Sequence, residues 1–159
     1  MTRKPLDSYD VRILDALQRD GSLSNGALAE IVHLSASQCS RRRAALEAAG
    51  VIERYRACLN AGALGLKLHA IVRLNLKDHD QGADATLSKW LSDQPEIQSA
   101  FSLSGDADYI LTIWVEDLET FSSFVHDKLL KQPQIAHVRS EFVLKTLKDS
   151  QLLRVTPAA

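Results

Sequence analysis

Residues 34–50 read LSASQCSRRRAALEAAG, and the placement of this stretch decides the first half of the chain. Ser35 and Gln38 have the spacing of a capping box, in which serine reaches forward to a backbone N–H and glutamine reaches back. That spacing predicts a helix over 35–50, with Cys39, Leu46 and Ala49 able to face inward. Upstream, Val11, Leu14 and Leu17 recur at helical spacing and predict a helix over 7–19. It should stop at Asp20-Gly21, with the glycine in a left-handed cap. Ser24 is a good N-cap for a second helix carrying Leu28, Ile31 and Val32. Val32-His33-Leu34 makes a tight turn into the third helix. Beyond it, residues 51–57 (VIERYRA) alternate weakly and predict a β wing.

A different period begins at residues 66–77, LKLHAIVRLNLK. Leu68, Ala70, Val72, Leu74 and Leu76 alternate with His69, Arg73, Asn75 and Lys77, the pattern of a strand with one buried face. Gly62 and Gly65 with small neighbours suit a connector over 61–65. The expected organisation is therefore a domain at 1–60, the connector, and a second domain at 66–159. Within the second domain the pattern reads strand 66–77, helix 83–92, strand 97–104, turn 105–108, strand 109–116, helix 118–131 and strand 137–146. Leu87, Trp90 and Leu91 form an apolar face on the first of these helices; Phe121, Phe124, Val125 and Leu129 do so on the second. That βαββαβ order is the ferredoxin-like split motif, so the fold class is α+β. Both helices cover one sheet face, and the bare face predicts pairing with another copy. The tail 152–155 would add a strand or fray.

Composition narrows the function classes. The chain has 159 residues, 45% apolar and 25% charged, which is ordinary for a folded domain or two small ones. Two cysteines without a C-x-x-C pair exclude a disulfide scaffold and a cysteine zinc site. The opening residues MTRKPLDSYD hold no apolar signal core, and no stretch approaches the ~18 apolar residues of a membrane span. A reduced, cytoplasmic compartment with no membrane partner is the expectation. The formal charge of −1 argues against simple coating of polyanions, but it is unevenly spread. Residues 1–60 carry nine basic and seven acidic side chains, and the remainder ten and thirteen.

Two short helices, a tight turn and a serine-capped third helix form a helix-turn-helix candidate for duplex DNA. Ser35, Ser37, Gln38, Ser40 and Arg41 lie in the first half of that helix, where groove contacts are made. Arg41, Arg42 and Arg43 are spread at ~100° per residue, so they cannot share one groove. Arg41 and Arg42 are the expected contacts, to phosphate or base. Arg54 and Arg56 on the wing, and Arg3 and Lys4 as an arm, add charge. Taken alone, three arginines are more often a solvated helix face, and a capping-box glutamine is occupied with backbone. The ordered series of turn, cap, basic helix and basic wing favours DNA.

The run DVRILDALQRDG at 10–21, then Leu34-Ser35-Ala36-Ser37, Arg42, Leu46-Glu47 and Gly50-Val51-Ile52, resembles the Lrp/AsnC (leucine-responsive, feast/famine) regulators. The resemblance continues through Gly105-Asp106-Ala107-Asp108-Tyr109 to about Leu153. It implies a winged helix-turn-helix that binds operator DNA and a ferredoxin-like domain that senses an amino acid. It further implies a homodimer, with an octamer as the larger assembly, on the nucleoid of a bacterial or archaeal cell. Ser24 and Asn25, where the second helix begins, join the expected DNA contacts. Three positions depart from the family pattern: His33 stands for a turn glycine, Arg43 for an apolar residue and Ser22 for an arginine. Histidine tolerates φ > 0 better than most non-glycine residues.

Residues 105–108 are, on plain reading, a hairpin turn rich in turn formers. The resemblance makes the same turn an amino-acid site at a subunit interface, formed by Ser104, Gly105, Asp106, Asp108 and Tyr109. A zwitterion needs a carboxylate for its ammonium, which Asp108 or Asp106 supplies, and backbone N–H groups near Gly105 for its own carboxylate. No cofactor is implied. The five histidines lack H-x-x-x-H and H-E-x-x-H spacing, and no Walker A, G-x-S-x-G or G-x-G-x-x-G string occurs, so neither a metal site nor an enzyme is expected. Two alternatives share the architecture. A sirohaem decarboxylase-like enzyme would hold a tetrapyrrole and show Soret absorbance, and an architectural DNA-binding protein would ignore amino acids.

Overall fold

The computed structural model describes residues 5–77, 81–149 and 152–157, with the side chains of 81–84 left aside. Arg3 and Lys4, expected as an arm, lie outside the described residues. The chain forms two compact units. The first comprises residues 1–58 together with 148–159, and the second residues 59–147.

In the first unit, α1 (Ser8–Arg19), α2 (Asn25–Val32) and α3 (Ala36–Ala48) surround one apolar core. Asp7 caps α1, its side chain accepting from the N–H groups of Tyr9 and Asp10, and Ser24 caps α2 through Ala27 N–H. The predicted box on α3 is present in both directions, Ser35 with Gln38. Ile13, Leu28, Val32, Cys39 and Leu46 are fully buried between the helices. Each such aliphatic chain contributes roughly 1.5–3 kcal/mol through removal from water.

Three local expectations change. Gly21 is not the left-handed cap of α1, because the helix ends in extended backbone at Asp20, with φ −144° and ψ 95°. Asp20 Oδ1 instead accepts from Ser22 N–H at 2.9 Å and Ser22 Oγ at 2.6 Å. A Cβ on Gly21 would stand 3.3 Å from Tyr55 Cδ1, so the glycine serves a close approach. The predicted β wing forms no strand, and residues 53–60 have no regular secondary structure. A strand needs a neighbour for its ladder, and none of the described residues of this unit forms one. The tail 152–155 neither frays nor adds a strand; it packs within the first unit. The left-handed turn does appear at His33, with φ 58° and ψ 50°, alone among the described non-glycine residues.

The second unit begins with a 3₁₀ turn (Gly62–Leu64) and continues β1 (Leu68–Leu76), α4 (Gln81–Ser92), β2 (Ile97–Ser102), β3 (Tyr109–Val115), α5 (Leu118–Ser123) and β4 (Ile135–Phe142). Its antiparallel sheet has the order β2-β3-β1-β4. α5 passes into a π-helical stretch, Phe124–Leu129, where a continuous α-helix was expected. β4 starts two residues earlier than predicted and ends four sooner. Ala70 of β1 faces Phe142, and the last ladder bond, Val143 N–H to the His69 carbonyl, lies near the start of β1. Ala70, Val72 and Leu74 with Tyr109, Leu111, Ile113 and Val115 form the core against the helices. The alternate residues face the side the helices leave bare.

Candidate nucleic-acid interface and effector turn

The core sets the rotation of α3. Cys39 and Leu46 are buried seven residues apart, and Arg42 and Arg43 fall between them on the flanks of the same stripe. The opposite side presents Ser37, Ser40, Arg41 and Ala44 to solvent. Small side chains therefore surround one extended cation, which suits close approach to a groove.

Arg42, expected at DNA, is engaged inside the first unit. Its Nη1 lies 2.8 Å from Asp7 Oδ2 and 2.8 Å from Asp10 Oδ1, and its guanidinium stands 5.4 Å over the Tyr9 ring. Burial opposes the charge, yet the hydrogen bonds that the guanidinium donates to Asp10 and Asp7 outweigh it and hold the guanidinium above its usual pKa. The Asp7 carboxyl is held below its usual value chiefly by the Asp10 N–H; burial opposes this, and Arg42 adds to it.

Arg43 is also internal. Nε donates to Tyr55 OH at 2.8 Å, Nη1 donates to the Leu23 carbonyl at 2.9 Å, and Tyr55 OH donates to Glu47 Oε1 at 2.8 Å. The guanidinium sits 4.5 Å over the Tyr55 ring. An arginine where an apolar residue is usual thus ties the wing segment to α3. Sequence reasoning missed Asp7, Asp10, Glu47 and Tyr55 as partners. The positions of Cys39 and Leu46 were the available signal that Arg42 and Arg43, three and four residues beyond Cys39, turn inward.

The polar residues at the helix starts are partly occupied. Gln38 Oε1 accepts from Ser35 N–H at 3.0 Å and from Ser35 Oγ at 3.1 Å, leaving its amide N–H₂ as the outward donor. Ser24 and Ser35 are exposed caps, Asn25 is half-buried, and Arg54 and Arg56 are exposed on the wing segment.

In the second unit the turn is fastened to the end of β1. Leu76 N–H lies beyond the last β1–β3 pair, Leu74 opposite Tyr109, and donates to Asp108 Oδ2 at 2.8 Å. Asp108 N–H donates to the Leu74 carbonyl at 2.9 Å, and Asn75 Nδ2 donates to the Asp106 carbonyl at 2.6 Å. Ser104, Gly105 and Asp106 are exposed, and a Cβ at Gly105 would meet nothing within 4 Å. Tyr109 points the other way, into the helix-side core, with its hydroxyl 3.1 Å from Ser88 Oγ. On the bare sheet face, His69 stacks on Trp114 with ring centroids 4.2 Å apart, and Arg73 and Arg139 share Glu141.

Comparison with known proteins assigns both halves. Residues 6–53 match the winged helix-turn-helix DNA-binding family, and residues 69–153 match the Lrp/AsnC ligand binding domain. The chain is 37% identical to the leucine-responsive regulatory protein of Rhizobium meliloti over 150 residues, 94% of this chain and 96% of that one. It is 34% identical to the transcriptional regulatory protein DoeX of Halomonas elongata, over 90% of each chain. Among solved structures, a transcriptional regulator from Neisseria meningitidis in complex with L-Met superposes with a TM-score of 0.91 at 37% identity, covering 94% of this chain and 96% of that one. No helix among the described residues is long and apolar enough to cross a membrane. With its DNA-binding and ligand-binding halves both matched in order, the chain belongs to the Lrp/AsnC family of transcriptional regulators.

Proposed function

We propose that this chain is a non-enzymatic regulator that reads duplex operator DNA with α3 and adjusts that binding to a free amino acid. The observation that carries the DNA reading is the outward face of α3, where Arg41 projects from among Ser37, Ser40 and Ala44. Ser24, Asn25, Ser35 and the free amide of Gln38 flank that face as backbone or base contacts, and Arg54 on the wing adds a phosphate contact. Arg42 is assigned inward, to Asp7 and Asp10.

The effector site is assigned to the turn, with the exposed Asp106 carboxylate for the ammonium group and the Ser104–Gly105 backbone for the carboxylate. Asp108 shapes that turn through Leu76 N–H. L-Met, held by the Neisseria relative, is the first ligand to try. A homodimer would cover the bare sheet face around Ile71, Ile110 and Trp114, and dimers would build toward an octamer on the cytoplasmic nucleoid. An effector shifts such an assembly only by binding one packing more tightly than another. The test is a thermal-shift series with the twenty amino acids, run beside light scattering and operator binding. The expected result is a rise in Tm for a few aliphatic or thioether amino acids, together with a change in DNA affinity. A chain that is monomeric, or whose DNA binding ignores all twenty, overturns the reading.

A further inference from the structure

Asp7 does two jobs with its two oxygens. Oδ1 accepts from the N–H groups of Tyr9 and Asp10, both at 2.9 Å, and so fixes where α1 begins. Oδ2 receives Arg42 Nη1 at 2.8 Å, and so fixes where α3 stands. The same Nη1 serves Asp10, whose residue is only 4% exposed. A buried carboxylate needs a paired cation, and the partners here are 35 and 32 residues apart in sequence. The start of one helix and the middle of another are thereby joined through a single guanidinium nitrogen.

We propose that Arg42 is a positioning residue for DNA recognition. Through Asp7 and Asp10 it sets the height and rotation of α3 against α1, and it makes no phosphate contact. This rests on the reading of α3 as the DNA-facing helix. Base readout depends on donors placed within about 0.5 Å of their targets, so a loosened α3 loses discrimination before it loses general attraction to the duplex. A phosphate contact behaves differently. Its removal weakens binding to every sequence alike and lowers the salt slope by about one.

The experiment uses the full chain and two duplexes, one selected from a random library by the parent protein and one with the same bases scrambled. Affinities are measured by fluorescence anisotropy over a series of salt concentrations, at a temperature where each variant is folded by circular dichroism. Arg42→Gln and Asp10→Asn are each expected to weaken binding to the selected duplex about tenfold. Binding to the scrambled duplex and both salt slopes should match the parent. The double variant should be no weaker than the worse single, since both remove one interaction. If Arg42→Gln does not fold, Asp10→Asn carries the same comparison with the carboxylate shape retained.

Equal weakening on both duplexes with a reduced slope for Arg42→Gln overturns the proposal and returns Arg42 to phosphate. Parent-like discrimination in both folded variants overturns it too, leaving only a stabilising pair. Arg41→Gln is the control for the underlying reading. If it changes neither affinity nor slope, α3 does not face DNA, and the failure lies there.

Discussion

The side-chain amide of Gln18 pairs with the backbone of Leu153 in both directions. Nε2 donates to the Leu153 carbonyl at 3.2 Å, and Leu153 N–H donates to Oε1 at 2.7 Å. A glutamine on α1 thus imitates one rung of a ladder for the tail. Val155 packs against the core of the first unit just beyond it. The chain leaves this unit at residue 58 and rejoins it at 148, so the second unit is an insertion with two covalent attachments.

Gln18→Ala should therefore destabilise the first unit by about 1 kcal/mol, since two exposed hydrogen bonds are lost. For a unit of this size that is roughly a 4–8 °C fall in Tm. Removing residues 150–159 should cost more, because Val155 goes as well, and Gln18→Ala should add nothing in that background. Additive losses on thermal unfolding would show that Gln18 acts elsewhere.

His33 gives a prediction of opposite sign. Its left-handed backbone costs a non-glycine residue roughly 1–2 kcal/mol, while glycine adds about 0.4–1 kcal/mol of freedom to the unfolded chain. His33→Gly should therefore stabilise by about 0–1.6 kcal/mol. His33→Val should destabilise, because a β-branched chain is a severe outlier at this φ. Chemical denaturation of both variants is the check, and a less stable glycine variant would mean that the His33 side chain earns its place by a contact.

What could be read in advance follows the range of the interactions. The Ser35–Gln38 box, the Ser24 cap and the left-handed His33 are decided within four residues, and each stands as the pattern implied. The alternation of Leu68 to Leu76 likewise fixes which side of β1 is buried. The fate of Arg42 depends on carboxylates more than thirty residues away, so helical spacing separates the three arginines around α3 but leaves Arg42 among the expected DNA contacts. The wing failed as a strand for a related reason: a strand is a property of two segments, and its sequence shows one. Tyr109 was grouped with the turn by adjacency, but the twofold period of β3 sends it to the opposite face from Ile110.

Asp7 should leave a mark on acid stability. Its native pKa is lowered, so the unfolded carboxyl binds protons more readily than the native one. The stabilisation is complete above the unfolded value of about 3.9 and fades as pH falls through the lower native value. Asp7→Asn keeps a capping oxygen but cannot titrate. Denaturant midpoints from pH 6 to pH 2 should converge for the two proteins at the acid end, with the parent ahead near neutrality. Parallel curves across that range would remove Asp7 from the acid response.

The turn predicts a separation between ligand response and intrinsic stability. Asp106→Ala should leave Tm nearly unchanged without effector, because its side chain is exposed, and should abolish the rise produced by L-Met or whichever amino acid raises the parent. Asp108→Ala should destabilise the second unit by about 1–3 kcal/mol, and so lower its Tm even without effector, because Leu76 N–H loses its acceptor. It should also lose the effector response as the turn relaxes, while DNA binding without effector persists. An Asp106→Ala protein that still responds in full would place the ammonium partner elsewhere.

Arg41 carries the sharpest prediction about DNA, since it is the arginine of the run that faces solvent on α3. If it neutralises a phosphate, Arg41→Ala should weaken binding to selected and scrambled duplexes alike, with the log–log salt slope falling by about 0.9. If it reaches a base edge, the loss should be about 1–3 kcal/mol and confined to the selected duplex. The two outcomes separate on one plot of affinity against salt for two sequences, and both keep α3 at the groove. Arg41→Lys divides them again. A lysine replaces a phosphate contact as a point charge, but it lacks the planar fork that matches a guanine edge, so it should rescue the first role better than the second. Parent-like affinity and slope on both duplexes would exclude Arg41 from the interface, leaving an outward face of small side chains without the cation needed to hold it to the duplex.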